Sequence, residues 1–427
     1  MKKSNWPMLV IFICLLLSKL FTDCKSGKDF NDDDQSLPIE NDDTSGSDET
    51  IDDDIVDHDD DSGDDVFDDD SANGSYRIVS VIVEDHNTYR LANPLFPQLT
   101  GDLWPCAWGE DDRLYVANGD GMGFGLIYSD IVFGAADGFP PEMVGAPVKG
   151  AFGPFIAGKW GPEAWKYNCK PTGMTCVDGD IYLFFQNLAN FLSDEPFGDA
   201  PHASISVTSD GGLTWHFDSS APMFTDYIFT TGFFLDYGKC QEYARDEYVY
   251  VYGLDYNWRF SENFSQTKMY LARAPKQSIL EINSWEFFAG FHKNDPIWTP
   301  DIRSKVPVLE DDTLYRDDKS GIAQGSVVYI PPLNRYLYST RAVYEWIFYE
   351  APNPWGPWTK VSVVEWTGSW TETYHPGYPT VIPSKFLDED GRGGWIISSL
   401  SSSTFNGMYY NMAMRKFWLE VEETPDF

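Results

Sequence analysis

Two aspartates offer the carboxyl chemistry that polysaccharide cleavage requires. Asp102 lies in Thr100-Gly101-Asp102-Leu103-Trp104-Pro105, and Asp120 lies in Ala117-Asn118-Gly119-Asp120-Gly121-Met122-Gly123-Phe124-Gly125. Breaking a glycosidic bond takes one carboxylic acid to protonate the departing oxygen and one carboxylate to act as nucleophile or to activate water. The glycines around Asp120 predict a place where a substrate approaches the backbone closely. The plain alternative is a glycine-rich turn that happens to hold one Asp. It is no phosphate loop, because no Lys-Ser/Thr follows and the local charge is negative. Six His in the chain with no close pair, and no G-x-S-x-G, argue against a zinc hydrolase and a serine esterase.

Such a pair needs a scaffold, and a repeated hairpin supplies it. A polar turn followed by a short strand of aromatic and β-branched residues appears at Asp112-Arg113-Leu114-Tyr115-Val116, Gly179-Asp180-Ile181-Tyr182-Leu183, Asp246-Glu247-Tyr248-Val249-Tyr250, Asn334-Arg335-Tyr336-Leu337-Tyr338 and Gly393-Gly394-Trp395-Ile396-Ile397. The middle residues fall at 115, 182, 249, 337 and 396, with gaps of 67, 67, 88 and 59. Five units of this size predict an all-β fold, a five-bladed β-propeller of four-stranded blades, in which ring closure hides the sheet edges. A β-sandwich is the alternative, but it has no reason to repeat five times. Gln277 to Phe288 is the best helical candidate.

The repeat also predicts which residues line the axis. The innermost strand of each blade should precede the hairpin by about a dozen residues, which points to Asp102, to Lys170 in Cys169-Lys170-Pro171-Thr172-Gly173, to Tyr237 in Leu235-Asp236-Tyr237-Gly238, and to Gln324 in Ala323-Gln324-Gly325. In the fifth blade Lys385, His375 or Tyr378 fills the place. A ring of polar residues at equivalent positions is expected to face a ligand; the alternative is a water-filled channel lined by groups that satisfy one another. No metal or cofactor is expected, and calcium held by Asp side chains and carbonyls near the axis is left open by the pattern. Thr208-Ser209-Asp210-Gly211-Gly212-Leu213-Thr214-Trp215 resembles the Asp-box of sialidase-type propellers, a structural hairpin in which the Asp satisfies turn amides and the Trp packs under the blade. Trp355-Gly356-Pro357-Trp358 offers flat rings for stacking on sugars or for packing between blades.

Charge divides the chain. The 30 Lys+Arg against 67 Asp+Glu give a formal charge of −37, which repels a polyphosphate partner and excludes nucleic-acid binding. Residues 1–24 read as an export signal, with Lys2 and Lys3 ahead of the apolar run Met8 to Leu17, too short for a comfortable membrane span. Cys24 stands where a bacterial lipoprotein carries its acylated cysteine, although Phe21-Thr22-Asp23 lacks the small residues expected there, so membrane contact is expected only through that anchor. Residues 25–75 form an acidic, disordered tether: 29–70 hold 21 Asp+Glu and no Lys or Arg. Residues 76–427 are the propeller domain, with Cys106, Cys169, Cys176 and Cys240. Outside the cytoplasm these suggest disulfides, Cys169 with Cys176 being the easiest local pair among three connectivities.

Taken together, Gly101-Asp102-Leu103-Trp104-Pro105-Cys106-Ala107-Trp108-Gly109, Asn118-Gly119-Asp120-Gly121, Lys170-Pro171-Thr172-Gly173, the Asp-box, Leu271-Ala272-Arg273-Ala274-Pro275-Lys276 and Glu350-Ala351-Pro352-Asn353-Pro354-Trp355-Gly356-Pro357-Trp358 resemble domain-of-unknown-function family 4185. That family is similar to five-bladed glycosidase propellers, and some members are endo-D-arabinanases of glycoside hydrolase family 183. The resemblance implies that Asp102 and Asp120 are the catalytic aspartates, and that Lys170, Tyr237, Arg273, Gln324 and Trp104 position the substrate. It also implies a secreted or surface-anchored hydrolase of an extracellular polysaccharide, such as an arabinan. The competing expectation is a non-catalytic surface propeller that binds glycan or protein.

Overall fold

The computed structural model describes residues 75–424, apart from 86, 92, 94, 97–98, 191–197, 257–265, 315–320, 343–344, 366–376 and 405–406. The export, anchor and tether readings, and His375, lie outside the described residues. Those residues form a five-bladed β-propeller with no α-helix.

Each recurring hairpin motif lands on the second strand of a blade: Leu114–Gly121, Asp180–Ala189, Tyr248–Leu254, Arg335–Arg341 and Gly393–Thr404. These strands are covered on both faces, so their side chains alternate between two neighbours. Tyr115 and Ala117 face the second blade, while Leu114 and Val116 face the fifth. Val249 and Val251 likewise pack on the second blade, and Tyr250 and Tyr252 on the fourth. One apolar cluster fills each interface between adjacent blades, and much of that filling is Tyr, Phe and Trp. The aromatic-rich composition is thereby explained as wedge packing between sheets. Trp358 belongs to it, set edge-on against Tyr252 and Tyr338.

The first blade is Cys106–Trp108, Leu114–Gly121, Ser129–Asp137 and Val144–Phe152. In the second, Tyr167–Val177, Asp180–Ala189 and His202–Thr208 are followed by single bridges from His216 and Phe224. Here Asp210 accepts from the Thr214 amide and hydroxyl, and Trp215 lies edge-on against Phe133. The inner strands Thr231–Asp236 and Ser326–Ile330 pair in parallel, which joins the third and fourth blades in one sheet. The ring closes in the fifth blade, where Ser75–Val83, from the start of the domain, pairs antiparallel with Gly407–Thr424 as the outermost strand.

Two local expectations are corrected. The stretch Gln277 to Phe288 is not a helix: it makes 3-10 turns at Lys276–Ser278 and Ile282–Ser284 and then enters the strand Glu286–His292. Ile279, Trp285 and Phe287 are buried between the second and third blades, so tertiary packing overrides the local pattern. The disulfide is Cys176–Cys240, not Cys169–Cys176. Cys169 and Cys176 share the strand Tyr167–Val177, whose rise of about 3.3 Å per residue holds them far beyond bridging range. The bond instead ties the second inner strand to the turn after the third, across 64 residues. Replacing Cys176 and Cys240 by Ser is expected to cost about 2–4 kcal/mol of stability. Calorimetry reads this as a lowered Tm; a Tm indifferent to both the substitution and reductant contradicts it.

Candidate active site

Residues from all five inner strands, among them Cys106, Gly173, Phe233, Val327 and Val381, meet around an axial cavity of about 20 Å³. That is room for roughly one water. The axis is narrow at this level.

At one end the segment before the first inner strand folds back on the second. The Asp102 amide donates to the Gly119 carbonyl and the Gly119 amide to the Asp102 carbonyl, both at 2.9 Å. Asp102 is thus fixed beside the residue preceding Asp120. The approach needs glycine: a Cβ on Gly119 would stand 2.7 Å from Asp102 Oδ1, and one on Gly121 2.3 Å from the Thr100 carbonyl oxygen. The glycines around Asp120 therefore admit the chain's own backbone, where the sequence suggested room for a substrate. Backbone strain gathers here, since Leu103, Trp104 and Asp120 have φ of 75°, 51° and 45°, in the left-handed region that non-glycine residues seldom occupy. It is held in place by the Leu103 amide donating to Ser399 Oγ and by the Trp104 ring, stacked on Phe124.

Lys170, on the second inner strand, reaches this point. Its ammonium donates to Asp120 Oδ1, and the residue is only 4% exposed, against 40% for the Asp120 side chain. Burial works against the Lys170 charge, but the carboxylates of Asp120, Asp102 and Asp130 overcome it and hold the ammonium above the usual lysine range. Asp130 belongs to the group as well, although no motif around it marks it out. Burial alone would raise its carboxyl, yet Lys159 at 2.7 Å, Lys170 and the Cys169 amide bring it below the ordinary value. Tyr378, at the head of the fifth inner strand, donates from its hydroxyl to Asp102 Oδ2 at 3.1 Å. Asp102 itself is 5% exposed.

Gln324 lies beneath this group. Its amide donates to the carbonyls of Pro171 and Thr172 at 3.3 and 3.1 Å, which links the fourth inner strand to the second and makes it floor, not arm. Three other expected site residues are elsewhere. Tyr237 follows the inner strand Thr231–Asp236 and is therefore at the far end of the axis, buried with its hydroxyl 2.9 Å from that of Tyr336. Counting back a fixed distance fails there because the connection from Asp236 to Tyr248 is long and contains its own turn. Arg273 sits on the third strand of its blade, bound to Glu286 at 2.9 Å and sandwiched by the rings of Tyr248 and Trp298. Trp104 is wholly buried, its positive φ turning the indole into the interface of the first and fifth blades. Lys385 is also at the other end, against Asp112 and Trp108. Among the described residues no three His, Cys, Asp or Glu side chains gather to hold a metal ion.

The model of one protein family, described as "Domain of unknown function (DUF4185)", matches residues 142–415. The chain belongs to DUF4185. Lys170, Gln324 and Tyr378 fall within the stretch matched to DUF4185, whereas Asp102 and Asp120 precede it. No curated protein matches the sequence. Solved structures similar to this DUF4185 chain include a GH43_1 enzyme from Xanthomonas citri, 13% identical over 77% of this chain and 90% of that one, with a TM-score of 0.46. Another is CoXyl43, a GH43 β-xylosidase/α-arabinofuranosidase from a compost microbial metagenome, 12% identical over 80% and 98%, with a TM-score of 0.44.

Proposed function

We propose that this DUF4185 propeller is an exported glycoside hydrolase that cleaves an extracellular polysaccharide, with Asp102 and Asp120 as its carboxyl pair. One observation carries the reading: Asp102, bridged to Gly119, and the adjacent Asp120 both act on one buried lysine, with the Asp120 side chain reaching solvent. Lys170 offsets part of the repulsion between two adjacent carboxyl groups, so both are retained in one place while one of them carries the proton that the leaving oxygen takes. The half-exposed Asp120 meets the sugar from solvent, and Asp102 is held at the wall. One of them protonates the leaving oxygen while the other attacks the anomeric carbon or activates water.

The test is a screen of the full chain against bacterial and plant polysaccharides, arabinans first, with release of reducing ends as the readout. Hydrolysis of one class supports the proposal. Binding to a glycan with no bond cleaved supports the non-catalytic propeller instead. Export and attachment through a lipid on Cys24 belong to the same proposal and rest on the charge and apolar pattern of residues 1–24. Cells fed an alkyne fatty acid are expected to label the wild type and not Cys24→Ala; label retained by the variant contradicts the anchor.

A further inference from the structure

The fifth blade reaches across the ring closure to the carboxyl pair. Tyr378 opens the inner strand Tyr378–Val381, and its hydroxyl points across the interface of the fifth and first blades to Asp102 Oδ2 at 3.1 Å. The guanidinium of Arg341, from the fourth blade, lies 5.0 Å from the centre of the Tyr378 ring. A cation on that face draws electron density from the phenol and strengthens its O–H as a donor.

We infer that Tyr378 is a positioning residue, which holds Asp102 ionised and in a single orientation for the reaction. The inference rests on the hydrolase reading above and extends it to a residue on another blade. Among the described residues, the charged and titratable groups shown at Asp102 or at its partners are Asp120, next to the bridge partner Gly119, on the first blade; Lys170 on the second, which also draws on Asp120 and Asp130; and Tyr378 on the fifth, with Arg341 of the fourth against its ring. Tyr378 is the hydroxyl among them that donates directly to the Asp102 carboxylate. A donor of this kind stabilises the charged form over the neutral one, so its removal raises the pH at which Asp102 ionises. A rigid ring also spares the reaction the cost of orienting a free carboxylate.

Tyr378→Phe keeps the ring beneath Arg341 and deletes only the hydroxyl. In full-length protein carrying ¹³C-labelled aspartate, with the Asp102 carboxyl signal assigned by its loss in Asp102→Asn, that signal is expected to titrate about half to one pH unit higher in the variant. With a polysaccharide that the wild type cleaves, the acid limb of kcat/KM moves up by the same amount, and kcat falls about tenfold with KM within twofold. A merely structural tyrosine moves neither the carboxyl titration nor the limb. If Tyr378→Phe does not fold, Arg341→Met weakens the donor without deleting it, and the carboxyl titration moves up by a smaller step. An Asp102 titration unmoved in the folded variant overturns the inference. If no polysaccharide is cleaved, the hydrolase reading falls by itself, while the carboxyl titration still decides the role of Tyr378.

Discussion

Asp102→Asn and Asp120→Asn are each expected to cut the release of reducing ends by about a hundredfold to ten-thousandfold and to leave the Tm nearly unchanged. The amide has the shape of the carboxyl group but neither donates an acidic proton nor carries the charge that attack requires. Folding is spared for a local reason in each case. In Asp102→Asn the side-chain amide keeps an oxygen to accept from Tyr378, and the backbone bridge to Gly119 does not involve the side chain. Asp120 is half exposed, and its loss leaves Lys170 still faced by Asp102 and Asp130. Measured together, the initial rate and the Tm separate chemistry from stability. A protein that only binds glycan keeps its affinity in both variants and releases nothing in any form.

Lys170→Met is the second large effect, and it falls on stability as well as on rate. The side chain is almost fully enclosed, and removing its charge leaves three carboxylates facing one another. Breaking a buried pair costs about 3–5 kcal/mol; because Asp120 remains open to water, a loss of about 2–3 kcal/mol is expected near neutral pH. The sign of the pH dependence follows. The carboxylates lose the cation that favoured their charged forms, so they take up protons more readily, and protonation relieves the repulsion. The stability gap between Lys170→Met and wild type therefore narrows as pH falls toward about 4 and is widest near neutrality. Denaturant unfolding at several pH values reads this directly, and a gap that widens on acidification contradicts the assignment of Lys170 as the shared counter-ion. Lys170 itself is held above its ordinary range, so its own contribution is complete below the unfolded lysine value and is lost only as pH rises through the folded one.

The architecture was legible because the second strand of every blade is buried on both faces. Such a strand opens on a run of aromatic and aliphatic residues just after a polar turn, so Tyr115, Tyr182, Val249, Leu337 and Ile396 mark the blades in sequence. Counting back from the hairpins reached Asp102 and Lys170 as polar residues beside glycine or proline, whereas Asp120, near the end of the second strand Leu114–Gly121, stood out only as a carboxylate among glycines. Tyr237 shows the limit of that logic, because one longer connection moves the count from the near end of the strand to the far end. Tyr378 was one of three residues that the spacing offered for the fifth blade, and it is the one that reaches Asp102, whereas Asp130 joins the group only through the meeting of strands, a relation that carries no spacing signal. Trp104 and Arg273 had the residue types of a sugar site, but burial against Phe124 and the ion pair with Glu286 assign them to packing. The Cys176–Cys240 bond was equally invisible, since only the turn after the third inner strand brings Cys240 to the end of the second.

The central claim is that the scissile bond lies between Asp102 and Asp120 at the Lys170 end of the axis. A crystal structure of Asp120→Asn soaked with an oligosaccharide of the class that the wild type cleaves tests it most directly. The account predicts a glycosidic oxygen within hydrogen-bonding reach of residue 102 or 120, with the sugar above Lys170. An oligosaccharide bound at the Tyr237 end, or on the outer edge of a blade with both side chains untouched, contradicts it.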